Sequence, residues 1–193
     1  MRKILFSLFF FAPAALAQEF DLSRMPKDYS FVSIEEEGRL ALVFVRRDGA
    51  EYVFEQTLTY FDGRIDRAVI RVNNASQTTF VAFGDEKSTF TPHDCAPSIG
   101  TCYYVWNDID GAMNIKTETR LVGDIRIKDE YSRDGEDWLF WNRECTIFDE
   151  YGFWIDYVRT YWNGETEAGY RERSTPDRIS ELWRICDPAA AVS

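Results

Sequence analysis

A chain of 193 residues and 22.5 kDa is one domain, or one domain with an appendage, and its balance of 45% hydrophobic and 28% charged residues excludes both a disordered polymer and a multi-span helical membrane protein. A formal net charge of -11 removes nucleic acid and anionic membrane surfaces from the partners, because both would be repelled, and leaves a basic protein or a cation open. One histidine in the whole chain confines imidazole chemistry to His93.

Met1-Arg2-Lys3 supplies a basic start, Ile4 to Phe11 is apolar apart from Ser7, and Ala15-Leu16-Ala17 is a small-x-small cleavage site. Residues 1–17 therefore read as a secretory signal peptide, cleaved near Ala17, and the mature protein is expected to be periplasmic or secreted. The apolar run is shorter than the ~20 residues a spanning helix needs, and Pro13 interrupts it, so no integral membrane segment is expected after cleavage. Cleavage removes Arg2 and Lys3 but no acidic residue, which deepens the net charge to -13. Residues 18–187 are read as a single β domain and 188–193 as a flexible tail.

The mature chain is punctuated by Asp48-Gly49, Asp62-Gly63, Asp110-Gly111, Asp134-Gly135 and Asn163-Gly164, dipeptides suited to hairpin turns because these residues tolerate positive φ. Between them run period-two segments such as Tyr52, Phe54, Leu58, Tyr60 and Ala68, Ile70, Val72. Strands are expected near 39–46, 51–61, 64–72, 77–83, 102–106, 112–121, 124–131, 137–143, 153–162 and 166–173, with 29–35 as a further candidate. The fold class is all-β: an antiparallel meander of about ten strands, too many for a flat twisted sheet, closed as a lipocalin-like barrel or folded into two packed sheets. The likeness to lipocalins is one of architecture. Residues 39–46 are apolar on both faces, as are Tyr103-Tyr104-Val105-Trp106 and Trp138-Leu139-Phe140-Trp141, which calls for cover on their second side. Thr59-Tyr60-Phe61-Asp62-Gly63 and Thr160-Tyr161-Trp162-Asn163-Gly164 share a local pattern that hairpin grammar or a duplication would both produce.

One amphipathic helix is expected at the C-terminus. Thr175 caps it, Pro176 takes its first position, Asp177 faces its positive end, and Ile179, Leu182, Trp183 and Cys186 form an apolar stripe that should lie on the sheet. Four cysteines in an exported chain read as two disulfides. Cys95 and Cys102 flank a turn-rich loop, so Cys95–Cys102 with Cys145–Cys186 is the expected pairing. The absence of CxxC spacing argues against a metal use of these thiols.

No catalytic motif, phosphate loop or cofactor signature is present, and none is assigned. His93-Asp94 beside Cys95 reads as a loop histidine next to a disulfide, and the oxygen-rich stretch 107–114 fails the EF-hand spacing. Asn74-Ala75-Ser76 meets the glycosylation pattern, a weak three-residue signal. The informative residues are charges on apolar strand faces. Arg159 falls between Tyr157 and Tyr161 on the Phe153-Ile155 face, Asp156 lies between Trp154 and Val158 on the other, and Asp129 interrupts Ile125, Ile127 and Tyr131. Arg159, Tyr157, Tyr161, Phe153 and Trp154 are therefore the candidate ligand-binding residues, forming an aromatic pocket in which Arg159 meets an anionic head group. The alternatives are an internal Arg159–Asp129 pair and a strand that leaves the core before residue 159. The expected function is that of an exported, non-enzymatic barrel binding a small apolar or amphipathic ligand. A protein-binding module for a basic partner, acting as an inhibitor or envelope assembly factor, and a hydrolase using His93 or paired carboxylates are the alternatives.

Overall fold

The computed structural model describes residues 20, 22–74, 77–92, 99–171, 174 and 176–187. A 3-10 turn at Leu22–Arg24 precedes twelve strands: β1 (Ser30–Glu35), β2 (Gly38–Asp48), β3 (Glu51–Tyr60), β4 (Ile65–Asn73), β5 (Thr78–Phe83), β6 (Glu86–Pro92), β7 (Gly100–Asp108), β8 (Gly111–Val122), β9 (Ile125–Asp134), β10 (Asp137–Phe148), β11 (Trp154–Tyr161) and β12 (Thr166–Arg171). Helix α1 (Pro176–Cys186) follows. Each strand pairs antiparallel with the next, and β1 closes on β12 through Ser33↔Arg171, Ile34↔Tyr170 and Glu35↔Gly169, giving a closed meander barrel. Closure removes every sheet edge.

The strand missed in the sequence is β6, whose segment Glu86-Lys-Ser-Thr-Phe-Thr-Pro carries a single large apolar residue, Phe90, and hence almost no periodic signal. At Asp48-Gly49 the register pairs Asp48 with Glu51, so Gly49, at φ 62°, takes the first central position of the turn where the dipeptide pattern had put the second. The two similar pentapeptides form the same closed turn. Tyr60 N–H donates to Arg64 O as Tyr161 N–H does to Glu165 O, both at 2.9 Å, which hairpin grammar explains without duplication.

Inside the barrel the walls differ. On β2 to β4 the buried inward side chains are apolar, with Leu40, Leu42, Phe54, Ile70 and Val72 all almost fully buried, while β1 turns Ser33 and Glu35 inward beside Phe31. On β9 to β12 the alternation runs the other way. Arg126, Lys128 and Glu130 pair across the sheet with Leu121, Thr119 and Thr117 and face inward, while Ile125 and Ile127 face outward beneath α1. The helix lays Leu182 and Cys186 onto Ile125, Ile127, Cys145, Ile147 and Val158, and the Cys145–Cys186 disulfide (Cα–Cα 5.7 Å) ties it down as expected. Cys102 is also disulfide-bonded; its expected partner Cys95 lies outside the described residues, as do the signal segment 1–17, His93, the cap Thr175 and the tail 188–193.

Two expectations need correction. Ile155 does not share the inward face of Phe153 and Tyr157: a bulge between Ile147 and Phe148 shifts the register, and Ile155 packs in the cluster under the helix. The second face of residues 39–46 has no covering layer among the described residues, and Val43 and Val45 are exposed. Outward rings elsewhere are covered by cations, with the Lys116 ammonium 4.1 Å from the Tyr131 ring centre.

One end of the barrel is plugged by the segment before β1. Leu22 and Met25 enter the core beside Phe31, Phe153 and Trp154, and the Tyr29 hydroxyl donates to Asp149 (2.5 Å), which also receives Arg171 (2.9 Å). No helix among the described residues is long and apolar enough to cross a membrane. The outer face carries the ion pairs Lys116–Glu118 (2.9 Å) and Arg143–Asp129 (2.5 Å), and a lysine or arginine on a lipid-facing surface at a bilayer midplane would cost ~2–4 kcal/mol.

Candidate functional site

A meander alternates its connections between the two ends, so the loops after β1, β3, β5, β7, β9 and β11 all surround the end opposite the plug. Glu36, Glu37, Asp62, Asp85, Asp110, Glu136 and Glu165 lie in these six loops against a single basic residue, Arg64, which is already held by Asp62 at 2.8 Å. The most exposed large apolar side chains also stand on this rim: Ile109 at 81%, Trp162 at 71% and Phe61 at 70% exposure, in alternate loops.

Inside the rim the inward side chains are half-buried, and one layer deeper they are buried. Leu58, Tyr60, Trp106, Trp141 and Tyr161 form the upper wall. Trp106 of β7 stacks on Trp141 of β10 (centroids 5.5 Å, planes 16° apart) and on Phe90 of β6 (6.0 Å, 25°), so an aromatic ladder crosses the barrel just below the mouth. Trp141 reaches inward because a bulge between Phe140 and Asn142 adds a residue to β10. The Trp106 Nε1 and the carboxamide oxygen of Asn142, a residue only 4% exposed, are buried and have no hydrogen-bond partner among the described residues.

Below the ladder lies a charged network. Arg159 donates to Glu144 through Nε (3.1 Å) and Nη2 and to Glu167 through Nη1 (3.2 Å). Lys128 lies 3.4 Å from Glu130 and 3.6 Å from Glu144. Burial would push the Glu144 carboxyl up, but Lys128 and Arg159 outweigh it and bring it down to about 2. Glu130, fully buried with the weaker pairing, is instead raised by burial. The Tyr157 hydroxyl lies 2.6 Å from both Glu35 and Glu167, and Ser33 donates to the other Glu35 oxygen at 2.9 Å. A hydroxyl has one proton to donate, so one carboxyl must supply the other. Burial pushes Glu35 up to about 8, which assigns that proton to it. Gly169 makes the contact sterically feasible: a Cβ there would lie 2.4 Å from the Tyr157 ring and 2.5 Å from the Glu35 carboxylate.

Of the five ligand-binding candidates, Tyr161 stands at the mouth, Tyr157 and Arg159 stand in the network beneath it, and Phe153 and Trp154 pack at the plugged end against Tyr29, Phe31 and Phe54. The five run from the mouth toward the plugged end, with Trp154 edge-on to Tyr157 (4.9 Å) and Arg159 between the Tyr157 and Tyr161 rings. Arg159 is engaged by two carboxylates, as the internal-pair alternative anticipates, but not by Asp129, which points outward to Arg143 and Arg120. Sequence reasoning missed Trp106, Trp141, Asn142 and Glu130 as site residues. The two tryptophans were visible as rings on strands apolar on both faces, but β7 and β10 are three strands apart and only closure stacks them. No group of three or more metal-ligating side chains occurs among the described residues. No protein-family model, curated protein or solved structure matches this chain.

Proposed function

We propose that this protein is an exported, non-enzymatic barrel that takes a small apolar or amphipathic ligand through its hairpin-rimmed mouth. The observation that carries the reading is the half-buried Trp106–Trp141 ladder above the buried Asn142 carboxamide oxygen, which has no hydrogen-bond partner among the described residues: flat apolar surface for a tail or ring, and a polar floor to orient its head. Export, to the periplasm or the medium, rests on the signal-like residues 1–17. The hydrolase alternative has for support the buried carboxyls Glu35, Glu130, Glu144 and Glu167, and each is already engaged by Tyr157, Lys128 or Arg159, while His93 lies outside the described residues. The exposed tips Phe61, Ile109 and Trp162 amid carboxylates favour a second reading, docking of a basic protein on the rim.

Titration with the neutral fluorescent probe N-phenyl-1-naphthylamine tests the first reading. Saturable binding is expected, weakened at least tenfold in Trp106→Ala and Trp141→Ala and unchanged in Trp138→Ala, whose ring packs on the outer-face Tyr103. No saturable binding by the intact protein, or equal loss in all three variants, would sink it.

A further inference from the structure

We infer that the ligand of the mouth is cationic, an alkyl- or arylammonium amphiphile, an assignment that rests on the mouth-binding reading above. Every loop of the rim presents an exposed carboxylate, as in Glu37, Asp62, Asp85, Asp110, Glu136 and Glu165, so any ligand passes a ring of negative potential before it meets an aromatic ring. The opposite end is built differently, with Asp124 paired to Arg178 and Asp149 to Arg171. Behind the rim come faces of tyrosine and tryptophan, which attract a desolvated cation through their quadrupoles. The mouth already holds one cation this way, since the Arg64 guanidinium lies 4.2 Å from the centre of the Tyr60 ring.

Beneath the rings, the buried Asn142 oxygen, without a hydrogen-bond partner among the described residues, presents the negative end of the carboxamide dipole, suited to the positive head of an ammonium with or without an N–H and mismatched to a carboxylate head. Glu130, paired across the sheet with Asn142, is a buried carboxylate whose sole ion-pair partner among the described residues is Lys128 at 3.4 Å, with Arg159 acting on it from farther away, and a further cation nearby would favour its charged form. The guanidinium that would greet an anionic head group, Arg159, is engaged by Glu144 and Glu167. Rim, wall and floor therefore discriminate in the same direction, and they do so against fatty-acid carboxylates.

The test follows tryptophan fluorescence of the mature chain titrated with dodecyltrimethylammonium, dodecyl maltoside and laurate, each below its micelle concentration, at 20 and 300 mM NaCl. Circular dichroism reports that the barrel is intact throughout. Dodecyltrimethylammonium should bind at least tenfold more tightly than laurate and lose several-fold in affinity at the higher salt, while the maltoside is salt-insensitive. Replacing the exposed rim acids together, Glu37→Gln, Asp85→Asn and Asp110→Asn, should erode the preference for the ammonium and leave the maltoside unchanged. Laurate binding as tightly as the ammonium, or an unchanged preference in the triple variant, overturns the assignment while maltoside binding keeps the mouth as a ligand site. If no amphiphile binds, both readings fall. A lysine-rich peptide that binds where dodecyltrimethylammonium does not overturns it in favour of protein docking on the rim.

Discussion

One proton in the barrel interior, on Glu35, contributes to how stability responds to pH. Tyr157 can serve two carboxyls at 2.6 Å only if one of them is protonated, and Glu35, pushed up to about 8 by burial, is that group. Its ordinary value is 4.5, so between the two values the folded chain holds a proton that the unfolded chain has released. The stabilisation from Glu35 is therefore fully present below about 4.5 and is lost as pH rises through about 8, at about 1.4 kcal/mol per pH unit within the window. Glu144 works in the opposite sense: its stabilisation is present above 4.5 and disappears as pH falls toward about 2. Urea unfolding at pH 5, 6, 7 and 8 should show the intact protein weakening across the series, and Glu35→Gln should flatten that slope. Parallel slopes in the two proteins would mean that Glu35 is already ionised in the folded state. The residue was legible as an acid after an apolar strand; its partners, contributed by β11 and β12, were not.

Among the elements, α1 decides which face of its sheet is inside. Ile125 and Ile127 alternate with Arg126, Lys128 and Glu130, and that period marks two faces without saying which one meets the core. The helix settles the matter by covering the outer face, so the apolar residues turn outward to meet Leu182 while the charges turn inward to neutralise one another. The Cys145–Cys186 bond is what holds the helix there, and it closes a loop of 41 residues, worth about 4 kcal/mol on the chain-entropy model. Cys186→Ser should thus lower the melting temperature further than Cys102→Ser and speed hydrogen exchange across 176–186. If the helix amides stay as protected as in the intact protein, apolar packing alone docks the helix. The stripe Ile179, Leu182, Trp183, Cys186 made the docking face readable in advance because a helix buries one side only, whereas a strand covered on both sides gives no such asymmetry.

For the molecule as a whole, the net charge of -11 is not spread evenly. Seven carboxylates of the six rim loops gather at one end through the topology alone, since an antiparallel meander returns every second connection to the same end. Gathered like charges repel, and salt screens them. The thermal midpoint at neutral pH should therefore rise between 10 and 300 mM NaCl. A midpoint that falls would show that screening of the surface ion pairs, such as Arg143–Asp129 and Lys116–Glu118, outweighs relief of the rim.

The amino-acid sequence by itself determined the local grammar: eleven of the strands, the hairpin glycines, the C-terminal helix and the cysteine that pins it, all set by periods of two or 3.6 residues and by backbone permissiveness. It also determined the sign of the net charge. Tertiary closure decided the rest. The Trp106–Trp141 stack joins β7 to β10, Arg159 finds Glu144 and Glu167 rather than Asp129, Glu35 meets Tyr157 across the seam of β1 and β12, and the acidic loops become one rim. Each of these joins residues far apart in sequence or on strands whose inside and outside are undefined until the sheet curls shut and a helix covers one side. A pattern within one strand cannot encode them.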